Sequence, residues 1–109
     1  MAKAQRTGRA GRGPRRLKNQ RRKGWRKPEG AVYVGRPTKW GNPFKIGPDG
    51  DRAECMRRYR DWALDPAQAG LRAAARAELN GKDLLCWCDL DVECHADTLL
   101  EIANGRLGG

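Results

Sequence analysis

The charge of this chain is concentrated at one end, and that limits how much of it can fold. Residues 1–30 carry 12 Lys and Arg against one acid, Glu29, whereas residues 31–109 carry 11 basic and 12 acidic side chains. The net charge of +10 therefore belongs to the amino-terminal stretch, and the remainder is near neutral. The stretch "MAKAQRTGRAGRGPRRLKNQRRKGWRK" has few large apolar side chains beyond Leu17 and Trp25. It cannot bury enough surface to offset the entropy of ordering it. Residues 1–29 are accordingly expected to be a disordered basic arm, and residues 30–109 a single small domain. A domain of roughly 80 residues sits near the lower limit for a self-sufficient core, so a metal staple or a homodimer contact would help it.

The arm lacks the apolar centre of a secretory signal. Nothing in the chain approaches the run of about 20 apolar residues that a membrane helix needs. The expected setting is the cytoplasm, with no membrane partner. In a reducing compartment, four cysteines point to a metal site, a catalytic thiol or packing rather than to disulfides.

The periodicity predicts an order of strand, loop, helix, helix, strand, helix. "AVYVG" is β-branched and aromatic and ends in Gly35, the pattern of a buried strand. "RPTKWGNPFKIGPDG" reads as a structured loop, with a short extended piece at Phe44 to Ile46. Asp51 caps a helix, with Glu54 three residues on and Cys55, Met56, Tyr59, Trp62 and Ala63 at helical spacing. Asp65 and Pro66 end that helix and open the next, which places Leu71, Ala74, Ala75 and Leu79 on one side. Asn80 and Gly81 stop it. "KDLLCWC" is the second strand, and "HADTLLEIAN" is a last helix with Leu99, Leu100 and Ala103 inward. Strands separated by helices predict a small α/β domain with the two strands parallel.

Three of the four cysteines and the only histidine fall within "CWCDLDVECH". Cys86 and Cys88 share one face of the strand's end if it stays extended, and Cys94 and His95 open a helix. Open α/β sheets bind ligands at such strand ends. The positive end of a helix also favours a thiolate. Three readings stand. Cys86, Cys88, Cys94 and His95 are a tetrahedral zinc set by chemistry, although adjacent Cys94 and His95 reach one ion with difficulty and the spacing is not that of a common finger. Cys88, Cys94 and His95 are catalytic candidates if a thiol is the nucleophile. The third reading is packing, strongest for Cys55 and Cys86, because cysteine behaves as a small hydrophobe.

"VYVGRPTKWGNPF" is a second dense patch. Gly35 lets backbone N–H groups approach an anion, Arg36 and Lys39 add charge, Trp40 offers a stacking face, and Asn42 adds polar contacts. These five are the ligand-binding candidates. The alternative is a rigid turn in which Trp40 and Phe44 pack as a hydrophobic lid. If the strands are parallel neighbours, this loop lies beside the cysteine cluster.

"VYVGRPTKWGNPFKIG", "YRDWAL", "ELNGKDLLCWC" and "CHADTLLEIAN" together resemble domain of unknown function 4326, over roughly Ala31 to Asn104. The matching positions run from Gly35 through Phe44, leaving out Thr38, and continue at Cys86, Trp87, Cys88, Cys94 and His95. The resemblance implies a small α/β domain, a bacterial host and a gene that is often viral, and it implies no reaction. Cys55 and the arm lie outside the pattern.

The arm's cations suit phosphate backbones, with steep salt dependence and no sequence preference. Arg12, Arg15, Arg16, Lys18, Arg21, Arg22, Lys23 and Arg26 are the expected contacts to DNA or RNA, and Trp25 adds stacking. The leading expectation is a phage-type, nucleic-acid-associated protein with a Cys/His pocket for a metal or a nucleotide-like ligand. One alternative is an enzyme acting on a nucleotide or nucleic-acid component through Cys/His chemistry. Another is a phage factor that binds a host protein.

Overall fold

The structure is a computed structural model and describes residues 13–107. Its core is a three-stranded, all-parallel sheet in the order β1–β3–β2, with β1 at Arg16–Lys18, β2 at Val32–Tyr33 and β3 at Leu84–Cys86. Helices α1 (Arg52–Leu64), α2 (Ala69–Glu78) and α3 (His95–Ala103) complete the domain, with a 3-10 turn at Pro66–Gln68 between α1 and α2. The expected α/β order is present from Val32 onward, and β2 and β3 are parallel neighbours.

β1 was not expected. Arg16, Leu17 and Lys18 pair in register with Leu84, Leu85 and Cys86. The pairing extends by Leu84 N–H to Arg15 O at 3.0 Å and Asn19 N–H to Cys86 O at 2.7 Å, and Arg15 N–H bonds to Asp83 Oδ1 at 3.0 Å. The sequence reading placed these residues in a disordered arm because their side chains bury little apolar area. Their order comes instead from backbone groups that complete the free edge of β3, which composition does not register. The arm residues up to Arg12 lie outside the described residues.

Leu84, Leu85 and Cys86 are all buried, so both faces of the central strand are covered. Buried strands of this kind are continuous apolar runs rather than alternating ones. α3 packs against β1, β3, α1 and α2 and supplies Ala96, Leu99, Ile102 and Ala103 to a core shared with Val34, Trp40, Tyr59, Ala75 and Leu79. The helix boundaries follow from their ends. Asp51 Oδ1 accepts from Glu54 N–H at 2.9 Å, and Asp65 accepts from Ala67 N–H ahead of Pro66. Asn80 Nδ2 donates to Ala103 O at 2.9 Å and so locks the end of α2 to the end of α3. Phe44 to Ile46 form no strand; the nearest pairing is the isolated bridge between Gly47 and Gly50.

Trp40 is 4% exposed, and its carbonyl accepts from the buried Tyr59 hydroxyl at 2.9 Å. The loop after β2 is thereby anchored on α1. In urea denaturation, Leu84→Ala should lower stability by about 3 kcal/mol, the usual cost of a cavity at a fully buried leucine. Tyr59→Phe should cost about 1–2 kcal/mol, since it leaves the Trp40 carbonyl unpaired.

Candidate functional site

β3 ends at Cys86, the chain turns through Asp89–Glu93, and α3 starts at His95. This brings Cys86, Cys88 and Cys94 together, with all three sulfurs within 4.8 Å of one another. Cys86 Sγ and Cys94 Sγ are 2.9 Å apart, and all four cysteines of the chain are free thiols. Cys55 is buried on α1 and bonds to Gly50 O at 3.6 Å, so it belongs to packing. Cys86, which the sequence suggested was core, is both core and cluster.

The turn between Cys88 and Cys94 is held by cations from outside it. Arg16 Nη2 donates to Leu90 O at 3.0 Å and Val92 O at 2.7 Å, and its Nε pairs with Asp97 at 3.3 Å. Lys18 pairs with Asp89, and Arg52 Nη1 donates to Glu93 O at 3.0 Å. The acidic turn is therefore a receptor for charges from β1 and α1. Arg16, expected on nucleic acid, turns its charge into the domain, and Lys18, expected there too, pairs with Asp89 at the surface. The Arg16 side chain is only 9% exposed, and its buried Nη1 makes no hydrogen bond of good geometry. Burial works against the Arg16 charge, but Asp97, Cys94 and Cys86 outweigh it and raise its pKa. Arg21 stacks on Trp87, 4.5 Å from the ring centroid, while Arg22, Lys23 and Arg26 are exposed and Trp25 is half-buried.

The cluster is arranged to carry negative charge. Cys88 is well below the usual thiol range because the Cys86 and Cys94 thiols donate to it, with Arg52 Nη1 a further 3.6 Å away. Cys86 is raised by its hydrogen bond to Cys88. Cys94 is raised by its bonds to Cys86 and Cys88. A helix start was expected to favour a thiolate at Cys94. The lowered thiol is Cys88 instead, the most exposed of the three and the one beside Arg52.

His95 is buried, and its Nε2–H donates to Val34 O at 2.8 Å. In the neutral ring this leaves Nδ1 as the lone-pair nitrogen, 3.6 Å from Cys94 Sγ. His95 is near the sulfurs but outside the set of three that are mutually close. Sulfurs on one tetrahedral zinc stand about 3.8 Å apart, at about 2.3 Å from the ion. The three thiols could hold a metal ion, with Cys86 and Cys94 parting by about an ångström to do so.

Cys86, Cys88 and His95 also line a cleft of about 610 Å³, with Tyr33, Gly35, Arg36, Asn42, Phe44, Lys45, Ile46, Arg52, Met56 and Trp87. The expected Gly–Trp loop therefore does meet the cysteine cluster, but with different members. Trp40 is in the core and presents no stacking face. Lys39 turns away to Glu78 at 2.9 Å and lies over the Trp40 ring. The Asn42 amide is committed to the loop, accepting from Phe44 N–H and donating to Cys55 O. Arg36 and Gly35 remain at the cleft, and Lys45, Arg52 and Trp87, which were not among the five candidates, line it too. Trp87 sits in "CWC", where only its exposure distinguishes it from a core residue.

The fold and site define a small α/β domain with a three-thiol centre at the edge of a cation-lined cleft. The chain belongs to the family described as Domain of unknown function (DUF4326), whose model matches residues 17–105. That match begins within β1, so the family domain takes in part of the basic segment. No curated protein and no solved structure matches the chain. Among the described residues, no helix is long and apolar enough to cross a membrane.

Burial lowers the His95 pKa below that of a free imidazole. The unfolded chain then takes up a proton near pH 6.5 where the folded chain does not, so this residue makes stability fall as pH drops through about 6.5. The fall continues until His95 is protonated in the folded state as well. In metal-free protein, thermal midpoints between about pH 7.5 and pH 5.5 should fall less for His95→Gln than for the parent chain. Lowered carboxylates such as Asp89 act at more acidic pH and do not obscure this window.

Proposed function

We propose that this is a nucleic-acid-associated protein whose domain is stapled by one zinc ion on Cys86, Cys88 and Cys94. The observation that carries the metal reading is the mutual approach of the three sulfurs across the turn from Cys86 to Cys94. Three thiolates on a divalent cation leave one net negative charge, and Arg16 and Arg52 are placed to balance it. His95, with Nδ1 free of its proton, is this chain's own candidate for the fourth position. A carbonyl bond to the other ring nitrogen is the usual support for a metal-bound histidine.

The nucleic-acid reading rests on the cations that the domain does not use internally. Arg21, Arg22, Lys23 and Arg26 are exposed, and further basic residues precede them. They supply sequence-independent attraction to phosphate backbones of DNA or RNA. Of the remaining readings, thiol chemistry has an observation in its favour: Cys88 is a lowered-pKa thiol at the cleft. Among the described residues, no surface feature singles out a host protein as partner.

Purified protein should contain one zinc per chain by elemental analysis. Cys88→Ser and Cys94→Ser should each lose it together with thermal stability, whereas Cys55→Ser should retain it. Metal-free protein whose Cys88 is alkylated by iodoacetamide near pH 6 would instead establish the thiol chemistry. Replacing Arg21, Arg22, Lys23 and Arg26 with Ala should weaken binding to a random oligonucleotide and reduce the slope of log K against log salt by about 3–4.

A further inference from the structure

The cleft beside the thiols has a chemistry of its own. Arg36, Lys45 and Arg52 line it, and no carboxylate does among its described lining residues. Elsewhere on the domain, cations are typically met by acids: Lys39 by Glu78, Arg57 and Arg58 by Glu54, and Arg60 by Glu101. The side chains of Arg36 and Lys45 have no such partner among the described residues. Arg52 is held by Glu93 O, which fixes its guanidinium at the cleft and leaves further N–H groups for a ligand.

Arg36 is built in. The Tyr33 hydroxyl donates to its carbonyl at 2.8 Å, and a Cβ on Gly41 would come within 2.8 Å of Arg36 Cγ. Gly41 therefore leaves the space that this arginine occupies.

The other walls are aromatic and apolar. Three large hydrophobic side chains are exposed among the described residues, and two of them, Ile46 and Trp87, line this cleft. Exposed apolar side chains gathered in one cleft, rather than scattered singly, are the mark of a ligand-binding groove. Arg21 stacked on Trp87 adds a cation at the rim. A volume of about 610 Å³ suits a small molecule rather than a single ion.

We propose that this cleft binds a nucleoside phosphate, with the phosphate on Arg36, Lys45 and Arg52 and the base against Trp87. Guanidinium forks match phosphate oxygens in pairs, and a planar base is what an exposed indole face holds best. The same chemistry is offered by a free nucleotide and by the terminal nucleotide of a strand. None of the three phosphate contacts is a thiol, and Arg36 and Lys45, unlike Arg52 with its contact to Cys88 Sγ, are independent of the thiol centre.

Titration calorimetry on the full chain tests this with nucleoside mono- and triphosphates, adenosine, ribose 5-phosphate and inorganic phosphate. Nucleoside phosphates should bind about tenfold or more tightly than either adenosine or phosphate alone. Arg36→Ala and Lys45→Ala should each weaken them about tenfold, the worth of one charge-assisted bond. Trp87→Ala should remove the preference over ribose 5-phosphate, and Lys39→Ala should change nothing. All four side chains are on the surface except for part of Lys39's stem over Trp40, and circular dichroism confirms folding of each variant. Oligonucleotides with and without a 5′-phosphate identify the source. A phosphate-dependent gain abolished by Arg36→Ala assigns a strand end, and its absence assigns the free nucleotide. No saturable binding of any nucleoside phosphate below about millimolar, or binding indifferent to both Arg36→Ala and Lys45→Ala, overturns the proposal whatever the zinc content proves to be.

Discussion

The guanidinium of Arg16 ties β1 both to the turn after β3 and to the start of α3. It leaves β1, reaches the carbonyls of Leu90 and Val92, and pairs with Asp97 in the first turn of α3. Those contacts set the path of the turn that brings Cys94 back to Cys86 and Cys88. Lys18 on Asp89 and Arg52 on Glu93 hold the same turn from β1 and α1. A short acidic segment with little apolar surface cannot fold on hydrophobic burial. Here it is folded by charge and by carbonyl acceptors.

That arrangement decides the electrostatics of the thiols. Three sulfurs this close cannot each carry a charge without a cation between them. In the metal-free chain, hydrogen bonds from the other two thiols lower the Cys88 pKa, with Arg16 and Arg52 nearby. A centre so biased towards negative charge is prepared for a soft divalent cation or for a reactive thiolate. These alternatives use the same three residues and differ in whether a metal is bound.

The basic segment consequently has two roles rather than one. Arg15 to Lys18 complete the sheet and the turn, through backbone pairing, the inward-directed charge of Arg16 and a surface pair from Lys18 to Asp89. From Arg21 onward the cations face outward, and Arg21 reaches the indole that also lines the cleft. The boundary between structure and arm therefore falls inside the charge run.

The helices, their caps and the two apolar strands were legible in the sequence, because burial periodicity and local capping at Asp51 and Asp65 depend on neighbours in the chain. So was the meeting of the cysteine cluster with the loop after β2, since parallel strands bring their carboxyl ends together. Long-range contacts were not legible. Backbone pairing by Arg16 to Lys18 leaves no compositional trace, and the charge of a buried arginine looks like that of a solvated one. Trp40 and Trp87 illustrate the limit. Both are tryptophans beside glycine or cysteine motifs. Only packing put the first under Tyr59 in the core and left the second open at the cleft, because burial is a property of what surrounds a side chain in space.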